Sequence, residues 1–151
     1  MISIRRVKLE EAETLTQIAI AAKRHWDYPE HWMELWIPQL TFSPAYFEEN
    51  ESWVAELDSE AIAFYTLQEK DGNAWLENIW VLPEYIGKGV GRQLFEHVVE
   101  LARQRGYQAL QLEAEPSAVG FYEKMGMRKI GEYQYELDSQ MRVLPLMEIK
   151  L

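Results

Sequence analysis

The run from Ile79 to Leu94 (Ile-Trp-Val-Leu-Pro-Glu-Tyr-Ile-Gly-Lys-Gly-Val-Gly-Arg-Gln-Leu) constrains the fold more than any other stretch of the chain. It reads as an apolar strand stopped at Pro83, a loop carrying Gly87, Gly89 and Gly91, and then a helix. Val90, Leu94, Val98, Leu101 and Ala102 recur at helical spacing, with Arg92, Gln93, Glu96, Glu100 and Arg103 between them, so an amphipathic helix is predicted. Gly106 stands where that helix needs a left-handed residue to finish. Glycine at every second position suits neither helix nor strand. It does let a backbone turn tightly and set bare N–H groups against a ligand. With the positive end of the helix dipole, those donors make an anion site, and Lys88 and Arg92 add charge beside it. A pyrophosphate is the natural guest; on the glycines alone, a turn that binds nothing fits equally well.

Other phosphate motifs fit less well. A P-loop requires four residues between its glycines and then Lys-Ser or Lys-Thr, which is absent. A dinucleotide fingerprint requires Gly-x-Gly-x-x-Gly, whereas the spacing here is Gly-x-Gly-x-Gly in mid-chain. The stretch resembles the acetyl-CoA-binding motif of the GNAT superfamily of N-acetyltransferases, Gln/Arg-x-x-Gly-x-Gly/Ala. Gly89 and Gly91 fall on its two small positions, Val81-Leu82-Pro83 on the preceding strand end, and Ile86 stands where the family usually has Gln or Arg. The resemblance implies acetyl-CoA as cosubstrate. It implies contacts from Trp80, Val81, Ile86, Gly87, Lys88, Gly89, Val90, Gly91 and Arg92, and from Ser117 downstream. Because the family grips the pyrophosphate mainly through backbone amides, Ile86 is expected to weaken the site and not to abolish it.

At 151 residues the chain is expected to form one domain over 1–151, large enough to bury most of the surface its unfolded form would expose. Nearly half of it is apolar (48%), which excludes disorder, and no apolar run approaches a membrane span. The N-terminal Met-Ile-Ser-Ile-Arg-Arg has no signal-peptide core, and cysteine is absent, so a cytoplasmic protein without disulfides or thiol chemistry is expected. A net charge of −10 without a basic stripe argues against nucleic acid and suits a cationic partner such as an amine.

Ile2–Val7 alternates as a strand, and Glu10–Lys23 follows as a helix with Leu15, Ile18, Ala19 and Ala22 on its apolar stripe. The segment from His25 to Pro38 then holds three of the six tryptophans and two of the three histidines. Pro29 suits the first position of a second helix capped by Asp27 or Tyr28, with Trp32, Leu35 and Trp36 on one face. Trp32 and Trp36 are expected in the core. His25, Trp26, Tyr28 and His31 are candidates for the acceptor wall, which the GNAT resemblance places between the first two helices, and aromatic faces there suit a cation. His25 and His31 lack a third ligand at sensible spacing, so no metal is expected.

Ser43-Pro44 opens a short helix, and strands follow at 53–57, 61–69 and 74–82, the last two joined by a hairpin turn at Asp71-Gly72-Asn73. After the central helix, 108–113 alternates as a strand, and strand–helix–strand implies a parallel pair. A short helix over 117–124 ends at Gly126, and the last strands, 127–137 and 143–150, are joined by a loop around Asp138-Ser139-Gln140. The order gives an α+β fold. The resemblance implies a GNAT-like mixed, mostly antiparallel twisted sheet of six or seven strands with helices on both faces.

Two positions carry candidate chemistry. Glu77 lies in an otherwise apolar strand, where partial burial would raise its pKa toward that of a useful general base; a carboxylate at the sheet surface, satisfied by a structural hydrogen bond, is the bland reading. Tyr122 sits in Ala118-Val-Gly-Phe-Tyr-Glu-Lys-Met-Gly-Met127, similar to the GNAT pattern Ala-x-x-Phe-Tyr-x-x-x-Gly-Phe. The family's Tyr protonates the departing thiolate, and a phenol near pKa 10 still holds a proton for a thiolate near 8.5. Where the family often has Asn before this Tyr, the chain has Glu115-Pro116-Ser117. The resemblance therefore implies direct transfer of acetyl to a small amine or amino-acid-like acceptor, a peptide or protein acceptor being left open, with Glu77 as base, directly or through water, and Tyr122 as acid. Arg142 could pair with an acceptor carboxylate, though a structural salt bridge suits it as well, and the exposed aromatics permit a homodimer. A non-catalytic acyl-CoA-binding or sensing module is the alternative.

Overall fold

The computed structural model describes residues 1–151. They group into two compact units, Met1–Leu67 with Asn78–Leu94, and Gln68–Glu77 with Phe95–Leu151. The elements are an α+β set of seven strands and five α-helices. The strand order is β1-β2-β3-β4-β5-β7-β6.

The first unit holds β1 (Ser3–Arg6), α1 (Ala12–Arg24), α2 (Glu30–Trp36), α3 (Pro44–Glu49) and β2 (Glu51–Leu57). It also takes the start of β3 (Glu60–Lys70), the end of β4 (Asn73–Val81) and the first turn of α4 (Val90–Gln104). The stripe expected on α1 is buried at Leu15, Ile18, Ala19 and Ala22. Phe42 packs its ring against Tyr46, Phe47 and Phe64, and the buried Thr16 hydroxyl accepts the Phe42 amide at 2.8 Å, so the connection after α2 is pinned to α1. Ser52 and Thr66, directly opposed on β2 and β3, share a buried hydroxyl–hydroxyl bond of 2.8 Å. Each polar group that burial would penalise is thus given a partner.

Two expectations for α2 change. Pro29 is the residue before the helix, with ψ 139°, and not its first helical residue. Leu35 is 52% exposed, because α2 buries Met33 and Trp36 and is too short to carry a wider apolar face. Trp36 is buried as expected, whereas Trp32 is half-buried.

The second unit holds the tip of the β3–β4 hairpin, most of α4, β5 (Ala109–Glu113), α5 (Val119–Lys124), β6 (Arg128–Leu137) and β7 (Gln140–Lys150). Phe95, Val98, Val99 and Ala102 of α4 are buried, as are Leu110, Leu112 and Met147 of the strands. β5 runs parallel to β4 through Ala74↔Leu110 and Trp75↔Gln111, as the strand–helix–strand order requires, and antiparallel to β7. The expected loop at 138–140 is a two-residue turn. Asp138 and Ser139 both have positive φ, the geometry of a tight hairpin, so β7 begins at Gln140 and not at Val143. β6 carries an irregularity between Lys129 and Gly131 that leaves Ile130 without a cross-strand partner.

At the outer edge of the first unit, Arg5 donates to both Glu11 oxygens, at 2.9 and 2.7 Å, and to Glu56 at 2.6 Å. Those Arg5 bonds, helped by the Lys8 amide, hold the Glu11 carboxyl below its ordinary range against the opposing cost of burial. A depressed folded pKa means the stabilisation is complete above the ordinary carboxylate value and drains away as pH falls through the folded one. Glu11→Gln is expected to lower stability at neutral pH by about 1–2 kcal/mol. It should also flatten the loss of Tm in acid, which calorimetry from neutral pH to about pH 3 would read.

Candidate active site

In the first unit β4 ends at Val81, a turn of 3-10 helix covers Pro83–Tyr85, and residues 86–89 are exposed before Val90 opens α4. Gly87 and Gly89 have φ of +80° and +84°, which L side chains rarely adopt, and a Cβ placed on either would meet nothing within 4 Å. The run is therefore open backbone at the start of a fifteen-residue helix, whose first N–H groups have no partner inside the helix. Lys88 stands with its ammonium 5.7 Å from the Tyr85 ring, Arg92 is exposed on the first turn, and Ile86 is 37% exposed. An anion placed here would meet main-chain donors, the helix dipole and two cations.

The strand end is also informative. Leu82 donates its amide to Ile62 of β3 at 2.9 Å. Successive amides point to opposite edges of a strand, so that of Val81 points away from β3. On that edge the β4–β5 ladder has already stopped, at Trp75 and Gln111. Trp80 donates its indole N–H to Asn78 at 3.1 Å, and Asn78 donates to the Tyr46 hydroxyl at 2.9 Å, a chain that fixes the side chains of the strand end.

The rings expected to line an acceptor site divide in two. His25, at the C-terminal end of α1, and Trp26 form an edge-on pair, 5.0 Å between centroids. His25 also borders a shallow depression along α1 with Gln17, Ile20, Ala21 and Arg24. Tyr28 lies 4.8 Å from Trp36 and 6.0 Å from Trp32, and His31 is 6.5 Å from Trp32. The Lys23 ammonium sits over this cluster, 4.0 Å from Trp36 and 5.1 Å from Tyr28. The cation that these aromatic faces suit is one the chain already supplies.

In the second unit Glu77 fits the second of its two readings, a carboxylate at the sheet surface with a structural hydrogen bond. Its side chain is 38% exposed and not sunk in the strand, because it lies on the face of β4 where Trp75 and Lys70 meet it. The Trp75 indole donates to Glu77 at 2.6 Å, and the Lys70 ammonium is 3.7 Å away and 4.1 Å over the Trp75 ring. Sequence reasoning passed over its neighbour. Glu113 of β5 has its carboxyl pushed up by desolvation, pulled back by Lys70 and pushed up again by the charge of Glu77. No sequence signal marked it: the register that sets Trp75 opposite Gln111, and so puts the residues two further on along one face, comes from the fold.

Tyr122 is 7% exposed, held between the rings of Phe95 and Phe121 at 6.2 and 5.2 Å. Burial pushes its phenol well above the ordinary value, and the charge of Glu115 adds to the rise. Its main-chain carbonyl accepts from Met125 and Met127 as α5 ends, and Gly126 turns there at φ +98°. Ser117 is exposed in the turn before α5. Arg142 is engaged within the chain: it donates to Glu115 and to the Tyr135 hydroxyl, each at 3.1 Å.

No helix is long and apolar enough to cross a membrane. The family model described as "Acetyltransferase (GNAT) family" matches residues 12–127. A peptidyl-lysine N-acetyltransferase of Salmonella typhimurium is 31% identical over 153 aligned residues, 99% of this chain and 97% of that protein. A Bacillus subtilis relative named for alanine N-acetylation of a ribosomal protein is 34% identical over 97 residues, and the match spans 64% of its length, less than two thirds. The fold is that of the PaiA N-acetyltransferase of Thermoplasma acidophilum in complex with coenzyme A, at a TM-score of 0.82 and 23% identity, over 100% of this chain and 99% of that one. The motif around the glycines, the strand order and these matches agree, and the chain belongs to the GNAT family of acetyltransferases.

Proposed function

We propose that the chain transfers an acetyl group from acetyl-CoA to a primary amine on a small or amino-acid-like acceptor. The observation that carries this reading is the exposed glycine run at the start of α4, a main-chain cradle for a diphosphate. In this reading the cradle comprises the run 86–92, with Trp80, Val81 and Ser117 contacting the rest of the cofactor, and the Val81 amide polarises the thioester carbonyl. The amine nitrogen attacks the carbonyl carbon, the C–N bond forms, the C–S bond breaks, and coenzyme A leaves as a thiolate that takes up a proton.

An amine is mostly protonated at neutral pH, so attack requires a base. Glu77 is assigned that role; Glu113 lies beside it, its carboxyl pushed up by desolvation and by the charge of Glu77 and pulled back by Lys70. Tyr122 is assigned to the leaving sulfur. His25, Trp26, Tyr28 and His31 are assigned to the acceptor wall. The full-length similarity to a peptidyl-lysine acetyltransferase favours a lysine-like alkylamine, free or in a peptide, and Arg142, already paired with Glu115, is the weakest of the acceptor assignments. Thiol release from acetyl-CoA over a panel of free and peptide amines tests the reading; cofactor binding without release from any of them would favour the sensing module.

Gly89→Val forces a β-branched residue to a positive φ, a strain of about 1–3 kcal/mol that should lower Tm by several degrees, and calorimetry is expected to show acetyl-CoA affinity falling about tenfold or more. Glu77→Gln is expected to lower kcat by about 100-fold. The same change removes a like charge from Glu113, so the Glu113 carboxyl should titrate at lower pH, a shift that carbonyl NMR reads independently of activity.

A further inference from the structure

β6 ends the strand order on one side and is ten residues long, whereas β1, which ends it on the other, has four. An edge strand carries a row of main-chain donors and acceptors that its own sheet does not use. Pro145 shows which residues of β6 carry them. It faces Glu132 across the β6–β7 ladder, and its carbonyl accepts the Ala114 amide at 2.8 Å, so its main chain is turned toward β5 and away from β6. Facing residues of an antiparallel pair alternate between bonded and unbonded. Glu132, Gln134 and Glu136 therefore point their N–H and C=O groups outward, while Gly131, Tyr133 and Tyr135 bond to β7. All three outward residues are exposed. From Gly131 to Leu137 the strand has no proline, lysine or bulge to blunt the edge; Lys129 and the irregularity beside it lie at the other end.

We propose that β6 is the pairing edge of a homodimer: two copies of this chain join β6 to β6, antiparallel, about a two-fold axis at Tyr133. The pairing does not depend on the acetyl-transfer reading.

Charge selects a second copy as the occupant. The chain has net charge −10, yet residues 128–150 balance four cations, Arg128, Lys129, Arg142 and Lys150, against four anions, Glu132, Glu136, Asp138 and Glu148. This hairpin is thus a place where two copies approach without the repulsion that the whole chain would predict. Along β6 the cations stand at the first end and the anions toward the last. An antiparallel mate brings the positive end of one strand to the negative end of the other, which a parallel mate would not.

Charge also sets the register. The outward groups of two β6 strands meet when even-numbered residues face one another. With the axis at Glu132, that carboxylate faces its own copy; with the axis at Gln134, it faces the partner's Glu136. Both arrangements set like charges directly opposite, which destabilises a pair. With the axis at Tyr133, Glu132 instead faces the partner's Gln134, whose amide can donate to it. Gly131 then faces the partner's Tyr135, and the two Tyr133 rings, each 48% exposed in the single chain, meet across the axis.

The chain has no cysteine, so a single introduced thiol reports the register. Facing residues of an unbonded antiparallel pair stand about 4.5 Å apart at Cα, within disulfide reach. Tyr133→Cys in the full chain is expected to form a covalent dimer on mild oxidation. Glu136→Cys, which would face the partner's Ile130, is expected to remain uncross-linked. Sedimentation velocity of the unaltered chain should show a dimer whose share grows with concentration. Gln134→Glu sets a carboxylate against the partner's Glu132 at two symmetric places and should raise the dimer dissociation constant about fivefold. Gln134→Lys should lower it by about the same factor, and an unchanged Tm in both variants separates association from folding. Sedimentation as a monomer at every concentration overturns the proposal. So does a dimer indifferent to both Gln134 variants, or one that cross-links through Glu136→Cys as readily as through Tyr133→Cys.

Discussion

Backbone N–H groups removed from water need acceptors, and β4 is a strand whose two edges are treated differently. On one edge it pairs with β3 to its very end, where Leu82 still donates to Ile62. On the other edge its ladder with β5 stops after Trp75 and Gln111, six residues short of Val81 in a strand that runs from Asn73 to Val81. The donors past that point are what a ligand chain with its own amide and carbonyl groups can use. Much of the rest of the chain can be understood as holding this strand in place: Ser52 and Thr66 lock β3 to β2, and Tyr46 and Trp80 hold Asn78 between them.

Charge is deployed with the same economy. A chain with net charge −10 keeps two cations, Lys88 and Arg92, at the glycine-rich start of α4. In the second unit each carboxylate of interest has a cationic companion, Lys70 for Glu77 and Glu113, Arg142 for Glu115. The companions differ in kind. Lys70 is half-exposed and meets Glu77 at 3.7 Å, a contact that solvent screens; Arg142 is nearly enclosed and bonds Glu115 at 3.1 Å, a contact that fixes geometry.

How much of this was legible beforehand follows from the range of the interactions involved. The helix after the glycines, the parallel strand pair and the Asp71-Gly72 hairpin were readable because spacing and turn chemistry are local. Gly106 and Gly126 do have the left-handed φ that their positions demanded. The Asp138-Ser139 turn was read too long, because Ser at positive φ is uncommon enough to hide a tight hairpin. Leu35 was misplaced, and the face of Glu77 was left open, for a different reason. Which face of a short helix or of a strand end is covered depends on neighbours distant in sequence, and apolar company along the chain does not reveal them. Glu113 became interesting only through Glu77 and Lys70, and Lys23 only through Tyr28 and Trp36.

The Lys23 ammonium over the Trp36 and Tyr28 rings has a consequence for selectivity. A guest attached to its host by a few residues competes at an effective concentration of roughly millimolar or more, whatever is dissolved outside. A free alkylammonium arriving at these rings must therefore evict a tethered rival of the same chemistry, and meets its positive charge on approach. With Lys23 in residence these rings select by shape, and an acceptor would meet Tyr28 as a neutral amine and not as a cation.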